Sequence, residues 1–435
     1  MKSRHPPQAK GKGTRYDLAM IKRPLIVLFL LAVSLRADEV SDSRQLQKAA
    51  IEAYRAGNAT LFLDKIAAAS ALRPQHPSML YQLAIAQALN GRQDDALATL
   101  ERVAAMGMVY APDKAKELEP LRASPRYAAI LQQFARNAAP QGSPQKAFGI
   151  ERPGLIAEGM AYDAATGRFF VSSVRKRMIL AVDRAGRVSE FVTGLRWGVF
   201  GMAVDARRHV LWAATSALPQ TEGYVAANKD KAAVLKIDLR SGRLLATLAP
   251  DDAAPHLFGD VLVAPDGDVF VSDSSSPVIF RVASKKLEPF AKGPFPSMQG
   301  LASDGRRLYV SDYTRGLYAV DLRTRDVHAL ATPADVTLLG VDGIYLAAPR
   351  LLIGSQNGTA PNRIIRIRLT PDGLGVAGVD TLAANNASMG DPTLGVLARS
   401  AFYFNANAQW DLWGDDGTAV KDAKFEALRV LKVTP

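Results

Sequence analysis

The chain has no cysteine, which excludes a disulfide framework, a thiolate metal site and a cysteine nucleophile. No glycine-rich loop ending in Lys-Ser/Thr and no Gly-x-Ser-x-Gly elbow occurs, so phosphate-loop and serine-hydrolase chemistry have no sequence support. Long hydrophobic runs are also scarce. The longest, Pro24 to Leu35, spans twelve residues between Lys22-Arg23 and Arg36-Ala37-Asp38. That is short for a bilayer crossing and suits the apolar segment of a secretory leader. Residues 1–37 are therefore expected to be a leader with Met20 as the working start, giving a periplasmic or secreted protein with no stable membrane span. A retained N-terminal anchor is the alternative.

What is present is ordinary for a soluble protein: 435 residues, 48% hydrophobic and 22% charged. The net charge of +12 is concentrated, because residues 1–37 alone carry eight Lys or Arg against one acidic residue. The remainder is only mildly basic, and nucleic acid is not an expected partner.

From 41 to 137 the sequence is rich in Ala, Leu, Gln and Arg, with apolar residues at helical spacing and few β-branched ones. Gly57-Asn58 and Gly91-Arg92 recur 34 residues apart, and Leu63/Leu97 and Ile66/Leu100 keep that offset. The period resembles the tetratricopeptide repeat. The resemblance implies helical hairpins that either contact a protein partner or serve as a structural appendage. Residues 138–145 are small, polar and Pro/Gly-bearing, as a linker is.

Residues 146–435 carry six hairpin phrases that begin at Glu158, Phe200, Gly259, Gln299, Asp342 and Asp391. In each, two apolar runs flank a turn, and most are followed by a third and a fourth run. Four strands repeating without helices predict a blade of a β-propeller. The expected architecture is therefore multidomain: α-helical tetratricopeptide-like hairpins followed by an all-β six-bladed propeller. An insertion is expected at 216–231. Closure is expected either by a strand around 147–151 joining the last blade or by 428–433 as its outermost strand.

The starts of inner strands converge on one end of a propeller channel. Glu158, Asp260, Asp342 and Asp391 bring carboxylates there, and Gln299 an amide oxygen. Such an all-oxygen set suits a hard divalent cation, Ca²⁺ foremost; strand capping and water binding are the alternatives. The array resembles the senescence marker protein/gluconolactonase (regucalcin-like) family of six-bladed propellers over 150–435. That resemblance implies a cation held by Glu158 and Asp342 and hydrolysis of a small lactone or ester, with Asp342 as ligand and base. Gln299 and Gly259 stand where the family carries Asn. A non-catalytic protein that binds a protein or small molecule is the alternative function. His256, in the loop before the third inner strand, is a second candidate base. Trp197, Trp410 and Trp413 are candidates for the ligand face or for packing.

Overall fold

The computed structural model describes residues 39–435; the leader reading lies outside them. An α-helical region is followed by six four-stranded antiparallel sheets in the propeller arrangement.

The helices are α1 (Glu39–Arg55), α2 (Ala59–Leu72), α3 (Pro77–Leu89), α4 (Gln93–Ala105) and α5 (Pro125–Ala138). Gly57 and Gly91 end α1 and α3 with φ of +74° and +73°, conformations that favour a residue without Cβ. Asn58 then caps α2 by accepting from the Leu61 N–H, and His76 Nδ1 accepts from Met79 N–H at the start of α3. Ile66 and Leu100 are fully buried between the hairpins, joined by Phe62, Met79, Tyr127 and Phe134. No described helix is long and apolar enough to cross a membrane.

Five blades are continuous in sequence, spanning 157–192, 198–248, 258–292, 298–329 and 341–384. The sixth combines Gly395–Ala398, Ala401–Asn405 and Leu428–Val433 with Gln145–Ile150 as its outermost strand. Closure therefore follows the first of the two expected routes, and Leu428–Val433 is the third strand. The segment expected as a linker is not free. Gln141 exchanges backbone hydrogen bonds of 2.9 and 3.1 Å with Ala384, which fastens it to the edge of blade five.

The first and second strands of blades one to five share one irregularity. Each inner strand gains one residue relative to its partner, between Ala157/Met160, Val199/Met202, Phe258/Val261, Met298/Leu301 and Val341/Ile344. These bulges fall on the first two residues of each phrase and turn the first of them towards the channel. In four blades the second bulge residue is glycine. A Cβ on Gly159 would stand 2.1 Å from the Phe200 carbonyl oxygen, so the neighbouring blade requires its absence.

Serines lock these bulges. Ser172 Oγ accepts from Gly159 N–H and donates to Phe200 O of the next blade at 2.8 Å, and Ser311 Oγ repeats this with Gly300 N–H and Asp342 O. Asp273 and Asp312, at the ends of second strands, accept backbone N–H groups from Leu257 and Ser297 in the loops entering the inner strands.

Candidate functional site

By the common register, the channel end is ringed by Glu158, Phe200, Gly259, Gln299 and Asp342. Thr393 takes the matching place in blade six, where its hydroxyl donates to Ala157 O. Glu158, Thr393, Asp342 and Gln299 belong to adjacent blades and form a polar arc. Phe200 and Gly259 make the other side apolar.

Glu158 and Asp342 are buried. Glu158 Oε2 accepts the Trp410 indole N–H at 2.7 Å, and Asp342 Oδ2 accepts from Asn357 Nδ2 at 2.9 Å. Among the described residues their second oxygens, Oε1 and Oδ1, have no hydrogen-bond partner. Burial, followed by the negative charge of Asp342, drives the Glu158 carboxyl well above its usual range, against the Trp410 hydrogen bond. Burial raises Asp342 to about 6, opposed by Asn357.

Asp260 and Asp391 were expected in the ligand set but are used differently. Asp260 stands at the second position of its bulge, where the other four blades have glycine, and Gly259 holds the channel-facing position. The Asp260 carboxylate is wedged between blades, accepting from Val261 N–H at 2.8 Å and from Leu301 N–H of blade four at 3.1 Å. Burial lifts it to about 7. Asp391 precedes its inner strand by four residues. Both its oxygens accept backbone N–H groups, from Gln409 and Trp410, each at 2.8 Å. The structure thus brings Glu158, Gln299 and Asp342 to the ring. The charges of Asp260 and Asp391 are felt at Glu158, but their oxygens serve the backbone.

His256 was expected as a second candidate base in the loop before the third inner strand. Its ring is buried between Phe258 and Phe280, with Nδ1 2.6 Å from Asp273 and Nε2 2.8 Å from Asp252. Burial disfavours its charge, but the two carboxylates outweigh that and raise its pKa. With both nitrogens occupied it clamps the loop to blade three and presents no free lone pair to a substrate.

Three residues at the site escaped sequence reasoning. Asn357 follows the second strand of blade five; it also accepts from the Tyr313 hydroxyl, which orients its amide. Thr393 was hidden because blade six has no Glu-Gly-like phrase at that place. Tyr345 lies three residues beyond Asp342, accepts from Gly395 N–H at 2.8 Å, and is held neutral by burial and then by the charges of Asp260, Asp342 and Glu158. Its only signal was strand alternation, which Tyr shares with many core positions. Trp410 belongs to the site, whereas Trp197 and Trp413 are buried in packing.

Among the described residues no three His, Asp or Glu side chains are grouped to hold a metal ion. The donor chemistry still fits a hard cation held loosely. Two carboxylates with one unpartnered oxygen each stand with neutral Gln299 and Thr393 oxygens, and no basic side chain compensates Glu158. Water completes such a shell.

The helical region lies on the same end of the propeller. Arg73 and Gln75 donate to the carbonyls of Thr314, Thr332 and Pro333, and Val109 N–H donates to Ala360 O, all in loops of blades four and five.

No protein-family model matches the chain, and no curated protein matches it. Solved structures that resemble it include a regucalcin from Agrobacterium tumefaciens, described as a calcium-binding protein. It is 16% identical with a TM-score of 0.47, over 67% of this chain and 95% of that one. A luciferin-regenerating enzyme is 15% identical with a TM-score of 0.46, over 68% and 96%. A gluconolactonase from Xanthomonas campestris is 16% identical with a TM-score of 0.43, over 68% and 99%.

Proposed function

We propose that the channel end binds a divalent cation, with Ca²⁺ the best chemical match, and hydrolyses a small lactone or ester. The observation that carries this is the pair Glu158 and Asp342: buried, uncompensated by a base, and each offering one free oxygen to the same channel. Glu158, Asp342 and Gln299 would hold the ion, which would polarise a bound carbonyl as a Lewis acid. The remaining work belongs to the chain. Asp342 Oδ1 takes a proton from water, and Asn357 keeps its other oxygen fixed. Tyr345, neutral and beside the carboxylates, offers a phenolic O–H. Phe200 supplies the apolar wall against which a small ring packs. In this proposal the leader pattern of residues 1–37 exports the protein, and the tetratricopeptide-like hairpins present their outer surface to a protein partner.

The test is metal analysis of the purified protein alongside a lactone and ester screen, repeated with Glu158→Gln and Asp342→Asn. Wild type is expected to take up a divalent cation and to hydrolyse a member of the screen. Asp342→Asn should lower turnover by about 10²-fold or more. Hydrolysis that survives both substitutions, or that proceeds equally after chelation, would sink the proposal.

A second function, binding without turnover, is favoured by one observation: only two ring positions are charged, since Asp260 and Asp391 are committed to backbone N–H groups. It predicts ligand binding with no product released.

A further inference from the structure

The loop 407–427 joins the second and third strands of blade six and belongs to no blade. Its neck is clasped twice. Asn407 accepts from Arg429 N–H at 2.7 Å and donates to Ala427 O at 3.0 Å, and Gln409 accepts from Glu426 N–H at 2.7 Å and donates to Glu426 O at 3.1 Å. Asp391 grips the Gln409 and Trp410 N–H groups, and Gln409 is held left-handed at φ +63°. The far end is tied to blade two's insertion by Gln220, which donates to Gly414 O at 3.0 Å. Inside this frame Leu412, Trp413 and Phe425 join the apolar cluster that holds Phe200 and Phe258.

Four tryptophans exist in the chain. Among the described residues, the indole N–H groups of Trp197, Trp212 and Trp413 are buried without a partner. Trp410 alone spends its indole on a carboxylate, Glu158 Oε2.

We propose that Trp410 is a positioning residue for Glu158: held by the clasped loop, its indole N–H occupies Oε2 and leaves Oε1 as the oxygen presented to the channel. The inference rests on the cation-binding function above. A side chain that orients a ligand without touching the ion typically changes affinity 10–100-fold when removed. Phenylalanine at 410 keeps the apolar ring and deletes the donor.

The first measurement is calorimetric titration of the full chain with CaCl₂. Trp410→Phe is expected to weaken binding about tenfold or more. Trp413→Phe, in the same loop but touching no carboxylate, should leave it unchanged. Unchanged affinity in Trp410→Phe beside lost affinity in Glu158→Gln would overturn the positioning role while leaving the site intact. The second measurement needs neither cation nor a change at 410. In protein labelled with ¹⁵N-tryptophan, Glu158→Gln should displace one of the four indole N–H resonances and leave the three unpartnered ones in place. If wild type binds no cation, the proposed function falls and this resonance decides the inference alone. Four unmoved resonances would overturn it.

Discussion

Aspartates serve both ends of the propeller, and their acidities move in opposite directions. At the end away from the helices, Asp183, Asp238, Asp321 and Asp372 sit in short turns, where their carboxylates accept hydrogen bonds within the turn, for Asp183 first from the Arg187 guanidinium and otherwise from backbone and hydroxyl groups. These bonds favour the charged form, and all four are more acidic than an ordinary aspartate. At the channel end Asp260, Asp312, Asp342 and Asp391 also accept hydrogen bonds, yet all are less acidic. The difference is burial: water remains available to the turns, while the channel end withdraws it. Turn carboxylates are thus structural charges whose small desolvation is outweighed by their hydrogen bonds, whereas channel carboxylates create a demand that a proton or a cation must meet.

The largest effect that tests this contrast is the pH dependence of stability. Asp260 rises from 3.8 to about 7, and Asp342 and Asp391 to about 6, so between pH 5.5 and 7.5 the folded chain binds protons there that the unfolded chain does not. Stability must therefore fall as pH rises through this window. His76 opposes the trend. Burial first, then the Arg73 charge, lower it from 6.5 to about 3, so its contribution is complete above 6.5 and is lost as pH falls. The carboxylates prevail, because Glu158 and His256 are raised in the same direction, and the chelated protein should lose more than about 3 kcal/mol between pH 5.5 and 7.5. Urea unfolding followed by tryptophan fluorescence reads this cleanly, because all four tryptophans lie in the propeller. A divalent cation should remove the slope at pH 7.5. A flat or rising profile in chelator would break the contrast between the two ends.

Glycine sharpens it next. Gly159, at the channel end, is required by space, since a Cβ would meet Phe200 O at 2.1 Å; Gly186, in a turn at the far end, has open space but a φ of +81°. Gly159→Ala must push blades one and two apart and should cost about 3 kcal/mol. Gly186→Ala pays only for a left-handed alanine, about 1 kcal/mol. Thermal melts of the two variants should keep that order.

How much of this was legible beforehand divides along the same line. The six phrases announced the blades because paired apolar runs and the turns between them are local, and the far-end turns behave as their sequences imply. The channel end depends on register between blades, which sequence does not display. Asp260 was expected to bring its carboxylate to the channel, but one bulge position decides which of Gly259 and Asp260 faces it, and it is the glycine. His256 looked like a free base because nothing in its loop revealed that Asp273, seventeen residues later, would meet its ring. Asp391 seemed to open the sixth phrase, while the bulge-equivalent residue is Thr393. The period of 34 in the helical region located both hairpin turns, whereas the docking of those hairpins on blades four and five left no local mark.

The smallest effect concerns the serines beneath the ring. Ser172, Ser311 and Ser355, with Ser272 as a fourth, follow the residue that pairs just beyond each bulge, so they occupy one structural position in four blades. The first two each accept a glycine N–H and donate to the next blade. Ser355 Oγ is buried with no partner among the described residues. Replacing Ser172 by alanine strands the Gly159 N–H and the Phe200 carbonyl, which should cost about 1–2 kcal/mol. Replacing Ser355 removes a hydroxyl that burial already penalises, so Ser355→Ala should be neutral or slightly stabilising. Equal losses in the two variants, measured by urea midpoint, would mean that the hydroxyls act through packing. The expected inequality would mean that blades one and two are stitched through the serine hydroxyl, while blades five and six rely on other bonds, from Gly395 N–H to the Tyr345 hydroxyl and from Asn357 to Pro392 O.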